Sequence, residues 1–173
     1  YFNKTSFEVK RINFSNDSKS KLQLDISGNY IKGSDLAIDT LSITTKDNKL
    51  GLQNLLIDKF HRIVKFDEIS LNYFDNEDKK NQVLIKRKQK NNYEVNGSLF
   101  NANSLISDLL KNKDDKHVRI FKNNINFNLN LKDVYLDSQN VISDLKGNFY
   151  IEKNKIHQAN ISAFFGNNEK LLF

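Results

Sequence analysis

The chain has 173 residues, a net charge of +6 and no cysteine, methionine, tryptophan or proline. This length suffices for one domain with a hydrophobic core, and the lack of cysteine excludes disulfide frameworks, thiolate metal sites and cysteine nucleophiles. No run approaches the roughly 18 consecutive apolar residues that span a bilayer, and the first residues do not have the pattern of a signal peptide.

The first half of the chain alternates apolar and polar residues, which is the pattern of strands with one buried face and one wet face. In two places the apolar spacing skips from two residues to three, between Val9 and Ile12 and between Ile38 and Leu41. A β-bulge or a bend at each skip would return the apolar residues to the same face. The apolar positions of the first three strands are Phe7, Val9, Ile12 and Phe14, then Leu22, Leu24 and Ile26, then Leu36, Ile38, Leu41 and Ile43.

The same period predicts further strands along the rest of the chain, which gives roughly ten to twelve in total. Short charged turns separate them, so we expect most neighbours in sequence to pair antiparallel as a meander. The clearest alternation is that of Ile125, Phe127, Leu129 and Leu131 with Asn124, Asn126, Asn128 and Asn130. The other predicted strands cover residues 50–57, 63–73, 82–87, 93–99, 116–121, 146–152, 156–165 and 169–173.

One segment follows a helical period instead. Leu105, Ile106, Leu109 and Leu110 fall on one side of a helix, and Asn103 or Ser104 could cap its start. The spacing predicts one short α-helix over residues 103–112, packed on the edge or end of the sheet.

Catalytic and metal-binding patterns are lacking. The three histidines His61, His117 and His157 are far apart without partners at ligand spacing, and no nucleophile, zinc or nucleotide motif occurs. The acidic residues at 75–78 and 114–115 lack the glycine that a calcium loop needs, so we interpret them as solvated turns. We therefore predict a protein that is not an enzyme and has no cofactor.

A basic stretch at Lys86, Arg87, Lys88 and Lys90 could suggest phosphate binding. Nucleic-acid readers usually add exposed aromatics, and Tyr93 alone lies close by. We interpret the stretch as an edge guarded by lysine, with contact to lipid headgroups or nucleic acid left as the alternative.

The order of several C-terminal segments resembles a known family. They are a strand that ends at Gly97, the run LFNANSLISDLL from Leu99 to Leu110, the strand that leads into residues 131–136, and residues 142–150 and 155–162. This order resembles the AsmA-like superfamily of bacterial envelope proteins, particularly the YhdP-type and TamB-type members. The resemblance covers roughly residues 93–173, and the first half shares only the style of its strands.

The resemblance implies a long antiparallel sheet, twisted and curled into an apolar groove that carries phospholipid between the inner and outer membranes. We expect residues 1–173 to be one all-β segment of a larger repetitive protein, because the chain opens on Tyr1 and has no methionine. The implied location is the periplasm of a Gram-negative bacterium, with a tether to the inner membrane outside this segment. The expected partners are phospholipid acyl chains and, at the ends of the whole protein, membranes, with no nucleic acid. The predicted groove lining is Ile125, Phe127, Leu129, Leu131, Phe149, Ile151, Ile161 and Ala163.

A second hypothesis is a closed β-sandwich or barrel that acts as an adhesin or carbohydrate-binding module. It predicts that the apolar faces close on each other into a dry core. A closed sheet would therefore favour the second hypothesis, and an unclosed sheet would favour the first.

Overall fold

The fold is all-β. The computed structural model describes residues 4–15, 21–31, 35–103, 120–137, 139–153, 155–166 and 169–172. Twelve strands run through them: β1 (Lys4–Ser15), β2 (Lys21–Ile31), β3 (Leu36–Thr44), β4 (Lys49–Ile57), β5 (Ile63–Lys65), β6 (Glu68–Phe74), β7 (Lys80–Gln89), β8 (Asn92–Asn101), β9 (Ile125–Tyr135), β10 (Val141–Glu152), β11 (Lys155–Phe165) and β12 (Glu169–Leu172).

All twelve strands belong to one sheet. Eleven of them follow the order of the chain, β1-β2-β3-β4-β6-β7-β8-β9-β10-β11-β12, and β5 pairs with β4 beside this path. Within the described residues the sheet is not closed, since β1 and β12 lie at opposite edges. The predicted all-β class and the strand number are confirmed, and the closed architecture of the second hypothesis is not found in the described strands.

The predicted antiparallel meander is wrong at one place. β8 and β9 run parallel, with Asn92 opposite Asn126 and Asn101 opposite Tyr135. Parallel neighbours need a connection of a dozen or more residues that returns the chain to the same end of the sheet. The stretch between Asn101 and Ile125 is long enough for that return.

Two predictions fall on this connection. The predicted helix over 103–112 lies outside the described residues from position 104 onward. Phe121, at the end of the predicted strand over 116–121, forms only an isolated parallel bridge with Ile63.

The predicted single strand over 63–73 is two strands. Phe66 and Asp67 interrupt it between β5 and β6. Phe66 is 2% exposed, so the interruption turns a large aromatic side chain inward. A period of two could not reveal this break, because the apolar residues continue on both sides of it.

The two predicted bulges are confirmed. Pairing between β1 and β2 shifts between Val9 and Ile12, where Arg11 has a φ of 55°. Pairing between β2 and β3 shifts between Ser27 and Gly28, which leaves Asp39 as the extra residue of β3. In β4, Asn54 lies opposite this position with a φ of 51°. Each bulge keeps the apolar residues on one face where strict alternation would have turned them over.

Buried residues gather in the middle of the sheet. One cluster centres on Val83, Leu131, Val134, Ile142 and Ala163, with exposures between 0 and 7%. A second joins Phe66, Tyr93 and Ile125. Within the described residues, no helix is long and apolar enough to cross a membrane.

Candidate functional site

A row of nine apolar side chains and one glycine crosses ten strands of the sheet. Residues directly opposite each other on paired strands point to the same face, so the row follows from the pairing alone. We call it the central row: Val9, Ile26, Leu41, Leu52, Ile69, Ile85, Val95, Leu129, Gly147 and Ile161. With neighbouring strands about 4.8 Å apart, ten strands span about 43 Å. The central row is thus longer than the roughly 30 Å hydrocarbon core of a bilayer.

A second apolar row lies beside it on the same face. It consists of Ile12, Leu24, Ile43, Leu50, Leu71, Val83, Gly97, Leu131 and Leu145, which face each other in that order. The two rows make up what we call the apolar face. Of the central row only Val95 is buried, and the others remain partly exposed to solvent.

The opposite face is equally regular and polar. Its row consists of Glu8, Ser27, Thr40, Gln53, Glu68, Lys86, Glu94, Asn128, Asn148 and Asn160. Lys86 pairs with Glu68 at 3.0 Å, and Lys88 on the same strand pairs with Glu94 at 3.0 Å. The sheet therefore carries two apolar rows on one face and this polar row on the other.

Residues 120–122 pair with β5, which itself pairs with β4 in the sheet. Ile63 of β5 donates a backbone hydrogen bond to Ile120 at 2.7 Å, and Lys122 donates one to Ile63 at 2.8 Å. Ile63 and Phe121 pack, together with Leu55, Ile69 and Ile85, against the buried residues Phe66, Tyr93 and Ile125.

Four aromatic rings pack together in this part of the protein. The ring of Tyr93 lies 4.4 Å from that of Phe66 and 5.5 Å from that of Phe127, and Phe121 lies 6.4 Å from Phe127. We call these four residues the aromatic cluster. Tyr93 is 1% exposed, and burial raises the pKa of its hydroxyl. The hydroxyl is therefore neutral at physiological pH and accepts a hydrogen bond from the Phe66 N–H at 3.4 Å.

The eight residues predicted to line the groove lie on the apolar face, but they differ in access. Ile125 faces Ile151 and Phe127 faces Phe149 across β9 and β10, while Leu129 and Ile161 flank Gly147. Three of the eight, Ile125, Leu131 and Ala163, are buried, and Phe127 belongs to the aromatic cluster. The other five, Phe127, Leu129, Phe149, Ile151 and Ile161, are partly exposed.

Sequence reasoning missed the first half of the apolar face. Leu41, Leu52 and Ile69 belong to the central row as fully as Leu129 does. The alternation of β2 and β3 carries this signal, whereas the family resemblance covers only the second half of the chain.

Depressions occur on both faces. One of about 280 Å³ on the apolar face is lined by Ile43, Leu50, Leu71 and Tyr73, together with the turn residues Thr45 and Asn48 and with Lys49 at the start of β4. A wider one of about 620 Å³ is lined by polar side chains of β6 to β10 and also by Leu71, Val83 and Leu84. The first exposes almost no polar surface, which suits hydrocarbon.

The described residues hold no group of three or more histidine or carboxylate side chains that could bind a metal ion. Comparisons with protein-family models, with curated proteins and with solved structures find no match to this chain. The resemblance to the AsmA-like superfamily therefore stays a prediction.

A tightly bonded turn joins β4 to β5 at one end of the sheet. Asp58 is 5% exposed, and its carboxylate accepts hydrogen bonds from Arg62 Nε and Nη2 at 2.9 and 2.6 Å. It also accepts the backbone N–H groups of Phe60 and Arg62 at 2.9 and 3.0 Å. The Arg62 side chain and these two N–H groups lower the pKa of Asp58 to about 2, although burial opposes the shift. Phe60 lies on the outside of this turn, and its side chain is 64% exposed.

This pKa predicts how stability depends on pH. A carboxylate whose folded pKa lies below its ordinary value of 3.8 stabilises the fold above that value, and the contribution is lost as the pH falls toward 2. We expect Asp58→Asn to be less stable than wild type at pH 7. Between pH 4 and pH 2 it should lose less further stability than wild type, because only wild type takes up about one more proton, at Asp58, on unfolding in this range. Denaturant unfolding at several pH values measures both effects.

Asp47→Asn is the matched control, because it removes an exposed carboxylate from the turn between β3 and β4. It should keep the wild-type dependence between pH 4 and pH 2. Equal acid sensitivity of wild type and Asp58→Asn would contradict the assignment.

Proposed function

We propose that this chain is a segment of a lipid-transfer bridge that carries phospholipid between the inner and outer membranes of a Gram-negative bacterium. The acyl chains lie on the apolar face, and lipid moves along it by partition, with no chemical step. The observation that carries the proposal is the central row, because its apolar residues stay in register across ten strands. The family resemblance of the C-terminal half adds to it.

The energetics of such a surface favour movement as well as binding. Burying apolar area is favourable by roughly 25 cal/mol per Å², and the term is non-directional. A lipid that shifts by one strand along the central row exchanges one set of aliphatic contacts for a nearly equal set. Within the described residues, the partial exposure of nearly all the central row leaves this area to be covered by a ligand.

The sharp separation of the two faces also supports the proposal. A soluble sheet with one apolar face must cover that face with helices, with a second sheet or with apolar ligand. All twelve strands of the described residues lie in one sheet, so no second sheet among these residues covers the apolar face. A closed sandwich or barrel would need a second sheet or a paired edge, so we do not propose the adhesin or carbohydrate-binding alternative.

Photo-crosslinking from the two faces of one strand tests the proposal. Leu50 lies in the apolar depression, and Gln53 lies on the polar row of the same strand. We expect a photoreactive residue at Leu50 to capture phospholipid from mixed micelles and one at Gln53 to capture at least about tenfold less. Mass spectrometry of the adducts provides the measurement.

Equal capture at the two positions, or none at either, would overturn the proposal. A crosslink from Leu50 to a second copy of the chain would do so too, because it would mean that protein covers the apolar face.

A further inference from the structure

The two ends of the sheet carry opposite charge. In a largely antiparallel sheet, alternate connections gather at opposite ends, and the pairing assigns each described connection to one end. At one end lie residue 35 and residues 58–62, 90–91, 120–124 and 153. At the other lie residues 45–48, 75–79, 102–103, 136–140 without 138, and 166.

The first end is basic. Among its described residues are five basic side chains and two acidic ones, and we call the five the basic rim: Lys59, Arg62, Lys90, Lys122 and Lys153. Of the two acidic side chains, Asp58 is already bound to Arg62. The charges at this end are therefore positive in excess.

The other end is acidic. Its described residues include two lysines, Lys46 and Lys79, against five carboxylates: Asp47, Asp75, Glu77, Asp78 and Asp137. Asp75 accepts hydrogen bonds from Asn81 and Asn101, and Glu77 accepts one from Asn103 at 2.8 Å. Amides therefore hold two of these carboxylates within the protein.

The basic rim also exposes apolar side chains. Phe60 is 64% exposed, with Lys59 Nζ and Arg62 Cζ both 5.1 Å from the centre of its ring. Ile156 and Tyr30, at the same end of the sheet, are 54% and 47% exposed. Cations beside exposed apolar groups suit the boundary between a phosphate headgroup and a hydrocarbon chain.

We infer that the basic rim binds the phosphate headgroups of phospholipids whose acyl chains lie on the apolar face. This inference rests on the proposed function and adds to it the orientation of the bound lipid. Each lipid lies with its tails along the strands and its headgroup at the end that carries Lys59, Lys90 and Lys153. Anionic headgroups such as phosphatidylglycerol are then preferred over zwitterionic ones, because their excess negative charge meets the basic rim.

Charge reversal at the basic rim tests the inference. The rim variant combines Lys59→Glu, Lys90→Glu and Lys153→Glu, all exposed positions in connections. The matched control combines Lys46→Glu, Lys80→Glu and Lys170→Glu, which make the same change in net charge at the acidic end. Each protein is incubated with phosphatidylglycerol and phosphatidylcholine of identical acyl chains, and bound lipid is quantified by mass spectrometry after gel filtration.

We expect wild type and the control to retain phosphatidylglycerol in preference, and the rim variant to lower the ratio of the two lipids about fivefold. The preference of wild type should also weaken as the salt concentration rises, because the lysines are exposed. If the rim variant unfolds, the triple Lys→Gln variant replaces it and should lower the ratio by a smaller factor in the same direction.

The possible failures are distinct. Retention of neither lipid by wild type would refute the proposed function itself. Retention of both with the same ratio in all three proteins would refute the basic rim and leave the proposed function standing. The inference would also be overturned if tail-free glycerophosphoglycerol or an oligonucleotide competed as strongly as intact lipid. The basic rim would then bind phosphate whether or not acyl chains are attached.

Discussion

Replacing Gly147 with alanine lowers the free energy of unfolding by about 3 kcal/mol, because the new Cβ has no space between β10 and β11. A Cβ at this position would overlap the carbonyl oxygen of Asn160 and lie 2.8 Å from the Cα of Ile161. The φ of Gly147 is +153°, a conformation that side chains rarely adopt. The backbone of β11 must therefore move away, which breaks the register of the central row at its C-terminal end.

Gly166→Ala is the control for this prediction, since a Cβ at Gly166 meets nothing within 4 Å. We expect it to change stability by less than about 0.5 kcal/mol. Chemical denaturation of both variants provides the comparison. Similar midpoints for the two would mean that β10 and β11 do not pair in the register described here.

Tyr93→Ala should lower the free energy of unfolding by about 3 to 5 kcal/mol, because it leaves a cavity at the centre of the aromatic cluster. Tyr93 contacts the rings of Phe66 and Phe127, and it is 1% exposed. Its loss also weakens the packing of Ile63 and Phe121, which belong to the same hydrophobic cluster. Denaturant unfolding measures the total effect, and hydrogen exchange at Ile63 and Lys122 reports on the pairing of β5 with residues 120–122.

Tyr93→Phe separates packing from hydrogen bonding at the same position. The hydroxyl accepts only one long hydrogen bond, 3.4 Å from the Phe66 nitrogen, so its removal should cost about 1 kcal/mol or less. A loss for Tyr93→Ala no greater than that for Tyr93→Phe would show that the aromatic cluster is not packed.

Local features of the fold could be predicted from the sequence, because a period of two and its interruptions are local. The skips at Val9 to Ile12 and at Ile38 to Leu41 predicted the two bulges that the pairing contains. The parallel pair of β8 and β9 could not be predicted in this way, because the direction of a strand depends on the path of its connection. The alternation of Tyr93 and Val95 is the same in either direction.

That one face of the sheet is apolar could be predicted from the sequence, but only some of its members could. Ile161 and Leu129 were predicted to share a face, and they do, on either side of Gly147. That Ile125 is buried could not be predicted, because Phe66 and Tyr93, which form the buried cluster with it, are far from it in the sequence. The difference in charge between the two ends of the sheet could not be predicted either, because it depends on the end of the sheet at which each connection lies.

The continuity of the apolar face is the claim on which the proposed function depends. Photo-crosslinkers placed one at a time at Leu41, Leu52, Leu129 and Ile161, on four strands of the central row, test it directly. The account predicts that all four capture the same phospholipid, with Thr40 and Asn128 on the polar row as silent controls. Capture confined to one position, or equal capture on the polar row, would contradict a continuous lipid-binding surface.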